Sequence, residues 1–167
     1  MGIKQKILII NSVLDVRPDI NESGNLTSHR DSPSRVRNAR QITVKTLKEI
    51  PLQLIEQHDV IGIDEAQFFE DITLVFEWLK MGKSIITAGL MFTSECKPFG
   101  DYYLLLSHAD EVIRLSAVCL KCKEEMDVHH ISGMSQQANM TKCLKQKDTD
   151  ISVDNEYIPV CRYHYYN

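Results

Sequence analysis

Val60-Ile61-Gly62-Ile63-Asp64-Glu65-Ala66-Gln67-Phe68-Phe69 decides the fold. It opens as a short apolar run, the pattern of a strand buried on both faces of a parallel sheet. It closes on two adjacent carboxylates, a Gln and two Phe. A strand that delivers acids at its carboxyl end places them at the mouth of an α/β sheet, where such folds bind ligands. The first acid of such a pair can hold Mg²⁺ beside a nucleotide phosphate, and the second can take a proton or orient a nucleophile. An Asp-Glu pair also ends strands in ordinary solvated turns. The apolar residues before it and the aromatics after it weigh against that simpler reading.

Strands and helices alternate on either side. Lys6 to Asn11 reads as a buried strand that runs into a loop, Ser12 to Asp19, with an acid (Asp15) and a base (Arg17) two positions apart. The stretch from Asp19 to Ser34 is polar and turn-rich, so a surface loop is expected. Gln41 to Lys45 reads as a short strand. Thr46 to His58 has apolar residues at helical spacing, with Pro51 starting or kinking the helix. Asp71 to Met81 is a second helix, stopped by Gly82. Ser84 to Leu90 is another buried strand, completing a βαβ unit. Asp101 to His108 is expected as a helix and Glu111 to Val118 as a further strand. Beyond Val118 the texture changes to paired cysteines and polar connectors. The expected domains are therefore 1–118, an α/β unit, and 119–167, a small metal-bearing unit.

The 167 residues fit one domain with an appendage, and the 43% hydrophobic content suffices for a core. A net charge of −4 argues against a surface built for nucleic-acid backbone or acidic lipid. No apolar run reaches membrane-spanning length, and no signal-peptide arrangement is present, so a cytoplasmic protein is expected. Met1-Gly2 resembles a myristoylation start, but Lys6 stands where that signal needs Ser or Thr. Five cysteines in such a compartment favour metal ligation over disulfides.

Cys119-Leu120-Lys121-Cys122 and Cys161-Arg162-Tyr163-His164 are two such knuckles. Two intervening residues let both side chains of a knuckle point inward, and two knuckles close a tetrahedral, structural Zn²⁺ site. A redox C-x-x-C is the alternative. His129 and His130 compete as ligands but have no partner at knuckle spacing. Cys96 and Cys143 fall outside the set. Met81-Gly82-Lys83-Ser84 imitates the tail of a phosphate-binding loop, but Glu77 stands where the first Gly belongs and a helix precedes it, so it is rejected.

These residues together resemble the thymidine kinases of the cellular, bacterial and poxvirus type. Asp15-Val16-Arg17 is similar to the family's D-x-R, and residues 61–69 to its IGIDE[GA]QFF. Ala88-Gly89-Leu90 with Lys97-Pro98-Phe99-Gly100 follows its A-[AG]-L-D-x-x-F-x-x-x-P-F-G. Residues 115–122 resemble LTAVCxxC, and residues 157–165 resemble YxxVCRxHY. The resemblance covers nearly the whole chain. It implies a parallel α/β domain of the P-loop NTPase kind with a small zinc-bearing lasso, and transfer of the ATP γ-phosphate to thymidine. It implies Glu65 as the base, Asp64 as a Mg²⁺ carboxylate, and Asp15 and Arg17 toward the phosphates. Phe68, Leu90 and Phe99 would surround the thymine ring, Tyr157 would close over the nucleoside, and Cys119, Cys122, Cys161 and His164 would hold the zinc. A homotetramer is implied as well.

Several positions depart from that pattern. The family pattern opens with a strand, G-P-M-[FY]-[SA]-G-K-[ST] and a helix; this sequence starts at the D-x-R strand. Met91 stands for the family's Asp, Ser94 for its stacking Phe, and Ser152-Val153 for a Gly-Gly pair. The cradle of a P-loop supplies most of the charge stabilisation in phosphoryl transfer, so an impaired or inactive kinase is expected. The alternative is a non-catalytic, zinc-containing paralogue acting as a binding or assembly subunit. Without the resemblance, the runners-up are a helicase-like ATPase fragment, which would lack the knuckles, and a zinc-ribbon nucleic-acid binder, which the acidic balance disfavours.

Overall fold

The computed structural model describes residues 5–15, 39–125, 137–145 and 156–167. Arg17, the 19–34 stretch, His129, His130, Ser152 and Val153 lie outside these residues. Contacts divide the chain into two compact units: residues 1–91 with 99–108, and residues 92–98 with 109–167.

The first unit is built on a four-stranded parallel sheet in the order β2-β1-β3-β4, from Ala39–Val44, Ile7–Ser12, Val60–Ile63 and Ser84–Thr87. Ile10 faces Ile63 across the β1–β3 ladder, and Ile63 faces Thr87 across β3–β4. Strand side chains alternate between faces, and among the described residues β1 and β3 bury one face fully, while the other face is half-buried to exposed. Leu8, Ile10, Ile61 and Ile63 are buried, whereas Ile7, Ile9 and Val60 are half-buried and Ile86 is 65% exposed. The expectation of strands buried on both faces is therefore corrected. All described helices of this unit contribute to one cluster, on the Leu8–Ile10 face. Each side chain fully buried there contributes about 1.5–3 kcal/mol.

The helical segments between the strands are short. Leu47–Glu49 forms a 3-10 turn, Pro51 caps α1 (Leu52–Glu56), and a second 3-10 turn, Ile72–Leu74, leads into α2 (Val75–Lys80). Pro51 splits the 46–58 segment because its ring cannot occupy a helix interior. Gly82, at φ +75, ends α2, a conformation that side chains avoid. Lys83 then donates its ammonium to the carbonyls of Glu56 and His58, closing the end of α1. The residues that imitate a phosphate loop are thus a helix stop and a helix cap. α3 spans Tyr102–Leu106.

The second unit holds two small antiparallel pairs. β5 (Ala117–Val118) pairs with β6 (Gln137–Ala138), and β7 (Met140–Lys145) pairs with β8 (Glu156–Val160). α4 covers Leu120–Glu125 and α5 covers Arg162–Tyr166. The strand expected over 111–118 forms only at its last two residues; Ile113 is 73% and Leu115 86% exposed. Branched apolar residues fit a pleated surface but do not supply the ladder partner that makes a strand. The strand expected over 84–90 likewise ends at Thr87. No described helix is long and apolar enough to cross a membrane.

Candidate functional site

β3 ends at Ile63, and the chain must turn sharply there to keep Asp64 and Glu65 at the sheet's mouth. The Asp64 N–H donates to the Ile10 carbonyl at 3.0 Å, prolonging the β1–β3 ladder by one residue. Glu65 then adopts a left-handed conformation, φ 48 and ψ 45. For a non-glycine residue this costs roughly 1–2 kcal/mol, and such strain gathers where geometry serves function. The Asp64 Oδ1 accepts the Glu65 N–H at 3.0 Å, stabilising the turn.

Gln67 holds this corner. Its amide nitrogen donates to Glu65 Oε2 at 2.6 Å, and its amide oxygen accepts the Leu90 N–H at 3.1 Å. The two partners fix which end of the amide is which, since a carboxylate needs a donor and an N–H needs an acceptor. Gln67 is only 5% exposed, so neither bond is replaceable by bulk water. The Ala66 N–H donates to the Ala88 carbonyl at 2.9 Å, binding the two loops together. A side chain at Gly89 would have its Cβ 2.5 Å from Gln67 Oε1 and 3.2 Å from Ala66 N. Gly89 is there because the amide needs the space.

The first unit also holds several of the other residues named from the sequence. The rings of Phe68 and Phe99 meet edge to face, with centroids 5.7 Å apart. The Phe99 N–H donates to the Met91 carbonyl at 2.9 Å. Leu90 is half exposed, and its backbone is tied to Gln67. Thr87 and the buried Tyr102 share a hydroxyl contact of 3.2 Å behind the site. Asp15 follows β1, where its N–H donates to the Ser12 carbonyl. Tyr157 belongs to the second unit, on β8 opposite Cys143. Arg17 lies outside the described residues.

In the second unit each knuckle is a turn that opens a helix. Cys119 precedes α4 and Cys122 lies within it; Cys161 precedes α5 and His164 lies within it. All four are buried, and their ligand atoms lie within 4.8 Å of one another. The His164 Nδ1 is 3.5, 3.4 and 3.4 Å from the sulfurs of Cys119, Cys122 and Cys161, and the Cys122 and Cys161 sulfurs are 3.8 Å apart. A tetrahedral Zn²⁺ at its usual bond lengths sets edges of about 3.6 Å from sulfur to nitrogen and about 3.8 Å between sulfurs. The four residues therefore fit a metal ion such as zinc.

The thiols differ in their surroundings. Burial pushes Cys119 up, but N–H donors from Cys122 and Cys161 and the His164 ring outweigh it and bring the thiol to about 6. Cys122 is pushed up to about 12, by burial first and then by the neighbouring sulfurs of Cys119 and Cys161. One thiolate is welcome in this pocket and a second is not; a bound dication reverses that preference. Val160, fully buried, and Ala138 pack beneath the cluster, and the Lys142 ammonium donates to the His164 carbonyl at 3.0 Å. All five cysteines are thiols rather than disulfides.

Sequence reasoning passed over Gln67 and Gly89 except as letters of a motif. The available signal was a Gln bracketed by Ala66 and two Phe, because a polar side chain in an apolar setting needs partners. The role of Tyr165 was also missed. Its hydroxyl donates to the Ser94 carbonyl at 2.6 Å, and hydrogen bonding with Cys96, followed by burial, pushes it up to about 12.

Fold and site define a class first: an α/β protein whose parallel sheet ends in paired carboxylates, with a separate Cys₃His metal module. The family is narrower. The thymidine kinase family model matches residues 1–165. The thymidine kinase of Fowlpox virus (strain NVSL) is 37% identical over 114 residues, covering 68% of this chain and 57% of that protein. That of Sheeppox virus (strain KS-1) is 35% identical over 114 residues, 67% of this chain and 58% of that one. Thymidine kinase 1 of Dictyostelium discoideum is 37% identical over 111 residues, 64% and 43% of the two chains. This chain belongs to the thymidine kinase family. It spans about half the length of the curated relatives it matches.

Proposed function

We propose that this chain carries the nucleoside-facing, proton-accepting part of a thymidine kinase site. In the reaction, the thymidine 5′-oxygen forms a bond to the γ-phosphorus of ATP, the bond to the β–γ bridging oxygen breaks, and ADP leaves. Glu65 accepts the 5′-hydroxyl proton, and the Gln67 amide keeps its carboxylate aimed. Asp64 would hold Mg²⁺, which neutralises charge on the phosphates when bound. Asp15 and Arg17 serve the phosphate side. Phe68, Leu90 and Phe99 offer an apolar, aromatic wall for the base, and the family resemblance gives Tyr157 a nucleoside-binding role. The observation that carries this reading is the strained Glu65, its carboxylate bonded to a buried Gln67 that is itself bonded to Leu90. A carboxylate on a solvated turn has no use for such an arrangement. Zinc is the proposed ion of the Cys₃His cluster, where it holds the knuckles together. The family resemblance also supports a cytoplasmic homotetramer.

Two positions favour a second reading, a non-catalytic, zinc-containing paralogue that binds or assembles. Met91 packs against the first core instead of offering a carboxylate, and Ser94 gives its carbonyl to Tyr165 instead of presenting a ring. Both substitutions weaken a nucleoside site, and impaired turnover is expected from them. Thymidine titrated calorimetrically into the zinc-loaded chain, alongside turnover with ATP and Mg²⁺, separates the readings. Turnover abolished by Glu65→Gln supports the kinase; saturable binding without turnover supports the paralogue. Absence of both overturns the nucleoside site.

A further inference from the structure

Loop 92–98 is assigned to the same unit as the metal cluster, far from it in sequence. Phe92 and Pro98 form an isolated antiparallel bridge, and the Thr93 N–H donates to the Lys97 carbonyl at 2.9 Å. Thr93 is the internal hub: its carbonyl accepts the Cys96 N–H at 3.0 Å, and its hydroxyl accepts the N–H groups of Glu95 and Lys97 at 3.3 Å. The loop closes only because Cys96 takes φ +60, a left-handed conformation that a side chain avoids and that surroundings must enforce. The Lys97–Glu95 ion pair is solvent-exposed and contributes little to that enforcement.

Among the described residues, Tyr165 is a restraint on the loop from outside it. Its ring packs on the metal cluster's core, and its hydroxyl donates to the Ser94 carbonyl at 2.6 Å, with the Cys96 thiol alongside. Tyr165 sits on α5, a helix of five residues, too short to persist by itself. Cys161 before α5 and His164 within it are two of the four ligands, so ligation adds a restraint on α5 to the Lys142 bond to the His164 carbonyl.

We propose that Tyr165 is a positioning residue that couples metal occupancy to loop 92–98, holding the Ser94–Cys96 turn in its strained form only while the Cys119–Cys122–Cys161–His164 cluster is loaded. The loop's strained turn then depends on the metal centre as well as on its own Thr93 bonds. Cys96 reports on it, because its thiol is sheltered only in the latched form.

The experiment uses the Zn²⁺-loaded chain and iodoacetamide, with alkylation at Cys96 followed by peptide mass mapping. Tyr165→Phe keeps the ring and loses the hydroxyl, and Cys96 is then alkylated roughly 5- to 10-fold faster, the range expected for one lost hydrogen bond. Zinc content and alkylation of Cys143 stay at wild-type values, and Tyr166→Phe, at an exposed neighbouring ring, changes nothing. Wild-type labelling of Cys96 in a Tyr165→Phe protein that retains its zinc overturns the proposal. If that variant does not hold zinc, amide exchange in the wild-type chain decides. The Cys96 amide exchanges faster in metal-stripped than in metal-loaded protein, and equal rates overturn the coupling.

Discussion

Gly89→Ala adds a single methyl group at the point where the loops after β3 and β4 meet. Its carbon would lie 2.5 Å from Gln67 Oε1, closer than any ordinary contact, and 3.2 Å from the Ala66 nitrogen and a Tyr102 ring carbon. The Ala66 nitrogen cannot yield, being bonded to Ala88, so the Gln67 amide must swing away. Doing so gives up a neutral bond to the Leu90 N–H and a charge-assisted bond to Glu65. A neutral bond contributes about 1 kcal/mol and a charged one about 1.5–3 kcal/mol, so the expected loss is about 2–4 kcal/mol. For a protein of this size that lowers the melting temperature by roughly 5–10 °C. Circular dichroism reads the melt, and on the proposed function calorimetric titration with thymidine reads a weaker affinity as Glu65 and Leu90 lose their tie. The decisive comparison is the Gln67→Ala background, where the 2.5 Å contact is gone and only the 3.2 Å neighbours remain, so Gly89→Ala should cost about half or less of its effect in the wild-type chain. Equal cost in both backgrounds would refute the reasoning.

Two further outcomes rest on other parts of the molecule. Thr46 makes no side-chain cap for the 3-10 turn Leu47–Glu49, and Asp71, 24 residues away, accepts the Leu47 and Lys48 N–H groups at 3.1 and 2.9 Å; Asp71→Ala should cost about 1–2 kcal/mol in urea unfolding and Asp71→Asn about half that. The metal-stripped second unit should be most stable near pH 9. Cys119, lowered to about 6 by its N–H donors, contributes stability that is lost as pH falls from 9 through 6. Cys122, raised to about 12, contributes stability that is lost as pH rises from 9 through 12. Thermal melts in chelator across this range check the pattern, and Cys119→Ser should remove the rising limb between pH 6 and 9; a limb that survives the substitution counts against the assignment.

What sequence reading could reach divides along physical lines. β1, β3 and the helix expected over 71–81, whose α-helical part is Val75–Lys80, were legible because their signals are local: apolar runs of strand length, helical spacing, and a glycine stop. The four metal ligands were legible because a knuckle is defined by two intervening residues and nothing more distant. The 111–116 segment shows the limit, since Val112, Ile113 and Leu115 satisfy every local criterion for a strand and find no ladder among the described residues. The one-sided burial of the sheet was hidden for the same reason, being set by what packs against it. The tie from Gln67 to Leu90 spans 23 positions, and the support of loop 92–98 by Tyr165 spans about 70. No spacing rule predicts either, because each depends on where the fold brings two segments together.

The left-handed backbone at Glu65 sets stability and chemistry against each other at one residue. Glycine or asparagine would relax that turn, by up to about 1 kcal/mol, and either would remove the carboxylate. A library screened only for heat resistance would be drawn toward discarding this side chain, while one screened for a proton acceptor would retain it. The frequency of glutamate surviving at position 65 after each kind of enrichment would measure how strongly the strain and the chemistry pull apart.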